Sequence, residues 1–285
     1  MVASKEVKAG FADRLLAASA ASRSLLCVGL DPDPEMMAVP DLPAFLREIV
    51  DATNDLVCAY KPNLGFFEAL GIQGLEALEE TLTHIRDVAP TAVVIGDAKR
   101  GDIASSSRQY ARAMFDRWSF DAVTVNPYTG RDSLEPFFDY RDRGVLVLCR
   151  SSNPGGADFQ DLVLSGPDGG IPLYEHVATK SREWNVNGNV GLVVGATYPS
   201  ELAKVRELCP DMPILAPAVG AQQGGVSEAV ASGVAAGGRN LVISSSRSVL
   251  YASSDRRDFA TSARDAASGL VSQINQTLDK IGKGW

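Results

Sequence analysis

The chain is poor in the residues that build metal centres and nucleophilic triads: its 285 residues include two histidines and four cysteines. His84 and His176 lie far apart in helix-like segments. That spacing does not fit a histidine-based zinc site or a Ser-His-Asp triad. Cys27, Cys58, Cys149 and Cys209 form no C-x-x-C pair, and three of them sit inside apolar runs. This reads as buried, reduced thiols of a cytosolic protein. Positive charge is also scarce, with 27 Lys and Arg against 35 Asp and Glu, a net charge of −8. Nucleic-acid binding needs clustered cations, and so does a polybasic lipid anchor, so neither is expected and any phosphate must be gripped locally. Apolar runs stay well short of the ~18 residues a membrane span requires. The opening stretch MVASKEVKAGFADRLLAASAAS is an amphipathic helix interrupted by charges, and no signal peptide is expected from it. A cytoplasmic location follows from these readings.

What is abundant is a rhythm. Eight short apolar runs recur along the chain. They are Leu25–Asp31, Leu56–Asn63, Ala92–Lys99, Ala122–Tyr128, Gly144–Ser152, Val190–Thr197, Pro213–Gly220 and Asn240–Ser248. Near-continuous Val, Ile, Leu and Ala is the pattern of parallel strands covered on both faces. Helix-period segments such as PAFLREIVDAT, GLEALEETLTHIRDV, SSRQYARAMFDRW and SELAKVRELC separate them. Repeated strand–helix alternation predicts an α/β fold, and eight units predict a (β/α)8 TIM barrel. An open doubly wound sheet is the alternative, but no G-x-G-x-x-G follows the first strand. Length suits one barrel domain over 1–285, with an N-terminal helix and a long Gly- and Pro-rich loop after strand five, about 151–189.

Polar residues gather at the C-terminal ends of these runs, where barrels build their active sites. Asp31, Lys61, Asp97 with Lys99, Asn126, Ser152 and Arg247 all occupy such positions. The third run, VVIGDAKRGDI, drives a buried strand into opposed charges. Asp97 and Lys99 stand two apart and so share a face of a regular strand. A buried ion pair stabilises little, because desolvation offsets the Coulomb gain, so a pair in a barrel interior points to chemistry. Carboxylates beside Lys99 hold it protonated, which suits it to deliver a proton rather than to form a Schiff base. Bland readings stand beside these: an Asx turn at Asp31, a helix N-cap at Asp102, a solvated side chain at Arg100. The loops after strands seven and eight, GAQQGG and SSSRS, offer backbone amides and Arg247 for a phosphate.

Together these residues resemble the orotidine 5′-phosphate decarboxylase family. DAKRGDI matches its D-x-K-x-x-D-I signature, and VGLDP, YKPN, VNPY, SNPG, PAVGAQQGG and SRS follow in the family's order. The resemblance implies a cofactor-free, metal-free decarboxylation of orotidine 5′-phosphate to UMP and CO2, the last step of de novo UMP synthesis. It implies Asp97, Lys99 and Asp102 as the charged array with Lys61 beside Asp97, and Lys99 as proton donor to C6 of the ring. It further implies that Asp31 and Lys61 meet the ribose and Ser152 the pyrimidine. By the same resemblance Ile103 and Ser106 would line a site shared between two subunits, Asn126 and Pro217 would belong to the substrate pocket, and Arg247 would hold the phosphate with Gln222 or Gln223. The family pattern usually has a single Gln before GG, so the doubled Gln leaves that ligand open. A homodimer follows, because Asp102 is expected to reach the neighbouring subunit. Two rivals remain: a metal-dependent sugar-phosphate decarboxylase or aldolase of the same superfamily, and a barrel that binds a nucleotide without turnover. The first places a Glu ligand on the second strand, where this chain has Lys61.

Overall fold

A computed structural model describes residues 9–166, 170–217 and 225–285. Eight strands close into a parallel barrel. They are β1 (Leu26–Leu30), β2 (Ala59–Pro62), β3 (Val93–Arg100), β4 (Ala122–Val125), β5 (Gly144–Arg150), β6 (Val190–Val194), β7 (Ile214–Ala216) and β8 (Leu241–Ser245). Each pairs with the next in sequence, and β8 closes on β1 with Leu26 opposite Ile243. The barrel expected from the eight apolar runs is the barrel observed. The strands are short because each needs only to cross the barrel wall, and all are buried from first residue to last except at the charged end of β3 and at Leu148.

The barrel interior is closed at one end by helix α1 (Phe11–Ser22). Phe11, Leu15 and Ala18 pack with Cys27, Ala59, Val93, Ile95, Ala122, Leu146, Val193, Leu215 and Val242 in one apolar cluster. Gly144, the first residue of β5, is required here, since a Cβ would stand 2.6 Å from the Phe11 ring. Arg14 of α1 bonds Asp121, just ahead of β4, and donates to the Asp142 carbonyl at 2.7 Å, just ahead of β5. The plug therefore sits at the strands' N-terminal ends and leaves the C-terminal mouth free. Burying Phe11 alone contributes about 1.5–3 kcal/mol.

Outside the strands runs a ring of helices: α2 (Leu42–Thr53), α3 (Leu64–Ala69), α4 (Gly71–Val88), α5 (Ala104–Arg112), α6 (Arg131–Phe138), α7 (Leu173–Trp184), α8 (Pro199–Leu208), α9 (Gly225–Gly233), the single turn α10 (Arg247–Leu250) and α11 (Phe259–Lys280). Their apolar faces and the outward strand residues form the larger core cluster, with Phe45 of α2 stacked on Phe259 of α11 at 5.4 Å. Among the described residues no helix is long and apolar enough to cross a membrane. All four cysteines are buried and unpaired.

The segment after β5 differs from the expected loop over 151–189. It carries a 3-10 turn at Pro154–Asp158, a small antiparallel pairing of Val163–Leu164 with Ile171–Pro172, and the whole of α7. Its Gly and Pro residues cluster ahead of Leu173. Beyond them Tyr174, Ala178 and Ser181 recur at helical spacing and are buried, a period that the flanking turn residues obscured.

Candidate active site

The C-terminal ends of β1, β2 and β3 bring four charges into one line. Lys61 ends up with its side chain 5% exposed and its Nζ 2.9 Å from Asp97 Oδ2 and 3.9 Å from Asp31 Oδ1. On the other side of Asp97, Lys99 Nζ lies 2.6 Å from Oδ1. The Asp97 side chain is 11% exposed and that of Lys99 is 49% exposed, so the row runs from the interior to solvent. Burial disfavours the Lys61 ammonium, but the carboxylates of Asp97 and Asp31 outweigh it and hold its pKa above the ordinary lysine value. Burial likewise disfavours ionised Asp97, and here Lys61 and Lys99 win, keeping its carboxyl well below the usual carboxylate range. The arrangement holds Asp97 as an anion and Lys61 as a cation across the whole physiological range.

Asp97 and Lys99 do not meet through the regular alternation of a strand. β3 and β4 pair in register at Gly96 and Val123, and again at Arg100 and Val125, so Asp97, Ala98 and Lys99 all face the single residue Thr124. Within this bulge Lys99 takes φ 47°, the left-handed region, a conformation that bulky residues adopt at a cost and that clusters at functional sites. Thr124, which sequence reading passed over, donates to Asp97 Oδ1 at 2.9 Å and accepts from the Ala98 and Lys99 amides at 3.0 Å each. A hydroxyl in the middle of the AVTV strand run was the signal for it.

The remaining sequence-predicted residues divide. Asp31 and Pro217 sit at the mouth, Asp31 after β1 and Pro217 after β7; the Pro217 carbonyl accepts from Ala196 N at 3.0 Å and the Asp31 carbonyl from Tyr251 Oη at 2.8 Å. The Asx turn expected at Asp31 belongs instead to Asp33, whose Oδ1 accepts from Glu35 N at 3.1 Å. Ser152 lies against β6, where a Cβ on Gly195 would approach its Cα to 2.7 Å. Asn126 Oδ1 accepts from Tyr128 N at 3.1 Å and shapes the turn after β4. Asp102 does not cap α5: Ile103 is the residue ahead of that helix, and Asp102 Oδ1 accepts from the adjacent Ile103 amide at 2.7 Å. Among the described residues Asp102 makes no ion pair, Ile103 is 62% exposed, and Ser106 and Arg247 are exposed. Arg100 is no solvated bystander: it bonds Glu68 and lies over the Tyr110 ring at 5.4 Å. Gln222 and Gln223 fall outside the described residues.

A family model described as orotidine 5′-phosphate decarboxylase / HUMPS family matches residues 24–261. The chain belongs to this family. It is 48% identical over 273 residues to the orotidine 5′-phosphate decarboxylase of Cupriavidus necator, covering 93% of this chain and 98% of that protein. To the orotidine 5′-phosphate decarboxylase of Cellvibrio japonicus it is 50% identical over 274 residues, with the same coverages of 93% and 98%. The structure titled Leishmania donovani OMP decarboxylase superposes with a TM-score of 0.81 at 38% identity, covering 94% of this chain and 98% of that one. As a member of the orotidine 5′-phosphate decarboxylase / HUMPS family the chain carries a second feature that sequence reading missed. Arg150, 1% exposed at the end of β5, pairs with Asp161 at 2.9 Å, lies over the Tyr198 ring at 4.0 Å and donates to the Ser151 carbonyl at 2.8 Å. It ties the segment after β5 to the barrel next to Ser152.

Proposed function

We propose that this chain, a single barrel domain, is an orotidine 5′-phosphate decarboxylase that releases CO2 from C6 of the pyrimidine and returns UMP. The observation that carries the reading is the row Lys61–Asp97–Lys99, a nearly buried carboxylate clasped by two ammonium groups at 2.9 and 2.6 Å. Loss of CO2 leaves an electron pair on a ring carbon. A cation held beside that carbon stabilises the developing charge and then supplies the proton. Lys99 suits this role, because Asp97 holds its ammonium while its side chain is half-exposed at the mouth. One unit charge at about 4 Å is worth roughly 4 kcal/mol at an effective dielectric of 20. Enzymes lower barriers by about 8–23 kcal/mol, so Lys99 acts together with binding energy from the rest of the nucleotide, the phosphate at Arg247 included. In this reading Asp97 bears on the departing carboxylate, Asp31 and Lys61 bind the ribose, and Ser152 reads the ring.

The same reading makes the enzyme a homodimer. Asp102 and Ile103 stand at the start of an exposed helix, with a carboxylate that pairs with no cation among the described residues and a large apolar side chain in water. Both features fit a neighbouring subunit's mouth. A cytoplasmic enzyme of pyrimidine synthesis accords with the buried free thiols. The metal-dependent sugar-phosphate rival needs a carboxylate where Lys61 stands, and a protonated amine cannot ligate magnesium. The deciding experiment is turnover of orotidine 5′-phosphate in EDTA, followed by ultraviolet absorbance and CO2 release. Stoichiometric UMP and CO2 are expected. Absence of turnover that magnesium restores would move the chain to the sugar-phosphate reading, and tight UMP binding without turnover to the non-catalytic one.

A further inference from the structure

Regular pairing between β3 and β4 would put one residue of β3 opposite Thr124; the structure puts three there. Such a bulge interrupts the ladder and leaves backbone amides in need of acceptors, since buried N–H groups are rarely left unpaired. Here the amides of Ala98 and Lys99 both turn to Thr124 Oγ1, at 3.0 Å each. The ladder resumes once the bulge is passed, with Asn126 N donating to the Arg100 carbonyl at 2.8 Å. The hydroxyl thus substitutes for a strand carbonyl. Its own proton goes to Asp97 Oδ1 at 2.9 Å, the same oxygen that holds Lys99 Nζ at 2.6 Å. One buried oxygen therefore fixes the left-handed backbone of Lys99, the orientation of the Asp97 carboxylate and, through it, the lysine's ammonium.

We propose that Thr124 is a positioning residue for the decarboxylation, its hydroxyl holding the β3 bulge in the shape that aims Lys99 at the reacting carbon. The inference rests on the reading of the site as a decarboxylase and adds to it a residue that touches no substrate atom. Thr124→Val keeps the shape and removes the hydroxyl. A misplacement of about 1 Å at a reacting group costs about 100-fold in rate, so kcat of Thr124→Val falls by about 10- to 100-fold, with KM and UMP affinity nearly unchanged. Thr124→Ser restores kcat. Should the valine variant fail to fold, Thr124→Ala and Thr124→Ser serve instead, since both lack the methyl and differ only in the hydroxyl. The serine form is then expected to be the faster by a similar factor. Equal kcat in the hydroxyl and non-hydroxyl forms, with turnover intact in the unsubstituted enzyme, overturns the role of Thr124 alone. So does a loss confined to thermal stability or to KM. An unsubstituted enzyme with no turnover overturns the decarboxylase reading and this inference with it.

Discussion

Replacing Lys61 by Met tests whether the charge row is as tightly coupled as its geometry implies. Lys61 Nζ lies 2.9 Å from Asp97 and 3.9 Å from Asp31. At an effective dielectric of 20 these attractions are worth about 6 and about 4 kcal/mol before desolvation is counted. Desolvation offsets most of that sum, and removing one partner of a buried pair typically costs about 3–5 kcal/mol because the other charge is left stranded. In Lys61→Met, Asp97 still has Lys99 and the Thr124 hydroxyl on Oδ1. The loss should therefore fall at the low end, about 3 kcal/mol, or about 5 °C in melting temperature for a chain of this size. The pH dependence gives the sharper signature. The folded Asp97 pKa lies below the carboxylate's unfolded value of about 3.9, so its contribution is complete above that value and disappears as pH falls through the folded one. The Lys61 pKa is raised, so its contribution is complete below about 10.4 and disappears as pH rises through the folded value. The gap in melting temperature between wild type and Lys61→Met is thus full near neutral pH. It narrows as pH falls below about 3.9, where wild type loses more of the Asp97 contribution than a variant whose Asp97 carboxyl is less strongly depressed. Thermal melts followed by circular dichroism over this range measure it. A gap that stays flat with falling pH, or a variant more stable than wild type, would refute the coupling.

Two further outcomes follow from the same geometry. If Asp102 serves the neighbouring subunit's site, Lys99→Ala and Asp102→Ala are each nearly inactive alone. Their unfolded and re-paired mixture recovers about a quarter of wild-type turnover, since random two-fold pairing yields half heterodimers with one intact site each; no recovery in a confirmed heterodimer contradicts the shared site. Arg206 donates to the carbonyls of Gly233, Cys209, Pro210, Met212 and Asn240 at 2.7–3.1 Å. Arg206→Met should cost about 2–4 kcal/mol in chemical denaturation by removing the shared donor of these carbonyls, of which Asn240 keeps a second donor in the Ile214 amide, while kcat of the folded fraction stays at the wild-type value.

Much of this protein was legible before folding because its signals are local and repeated. Eight Val- and Ile-rich runs with helices between them leave few topologies, and the C-terminal mouth follows from the barrel rule. Lys61, Asp97 and Lys99 stood out because charge inside a buried strand is costly. Less was legible where geometry depends on a break in regularity. The alternation rule joins Asp97 to Lys99, yet they meet through a bulge with Lys99 in the left-handed region, and the residue that supports the bulge, Thr124, lies on another strand. Arg150 was hidden for a related reason: its partners Asp161 and Tyr198 are brought to it only by the fold. Asp102 followed the composition of an N-cap, but α5 begins one residue too late for it.

The most direct measurement is the single-turnover rate of Lys99→Ala on orotidine 5′-phosphate, taken beside its affinity for UMP. If the Lys99 ammonium steadies and quenches the ring carbanion, the rate falls by about a thousandfold, the equivalent of about 4 kcal/mol, while UMP binds nearly as well as to wild type. A single-turnover rate equal to that of wild type would contradict the mechanism at its centre.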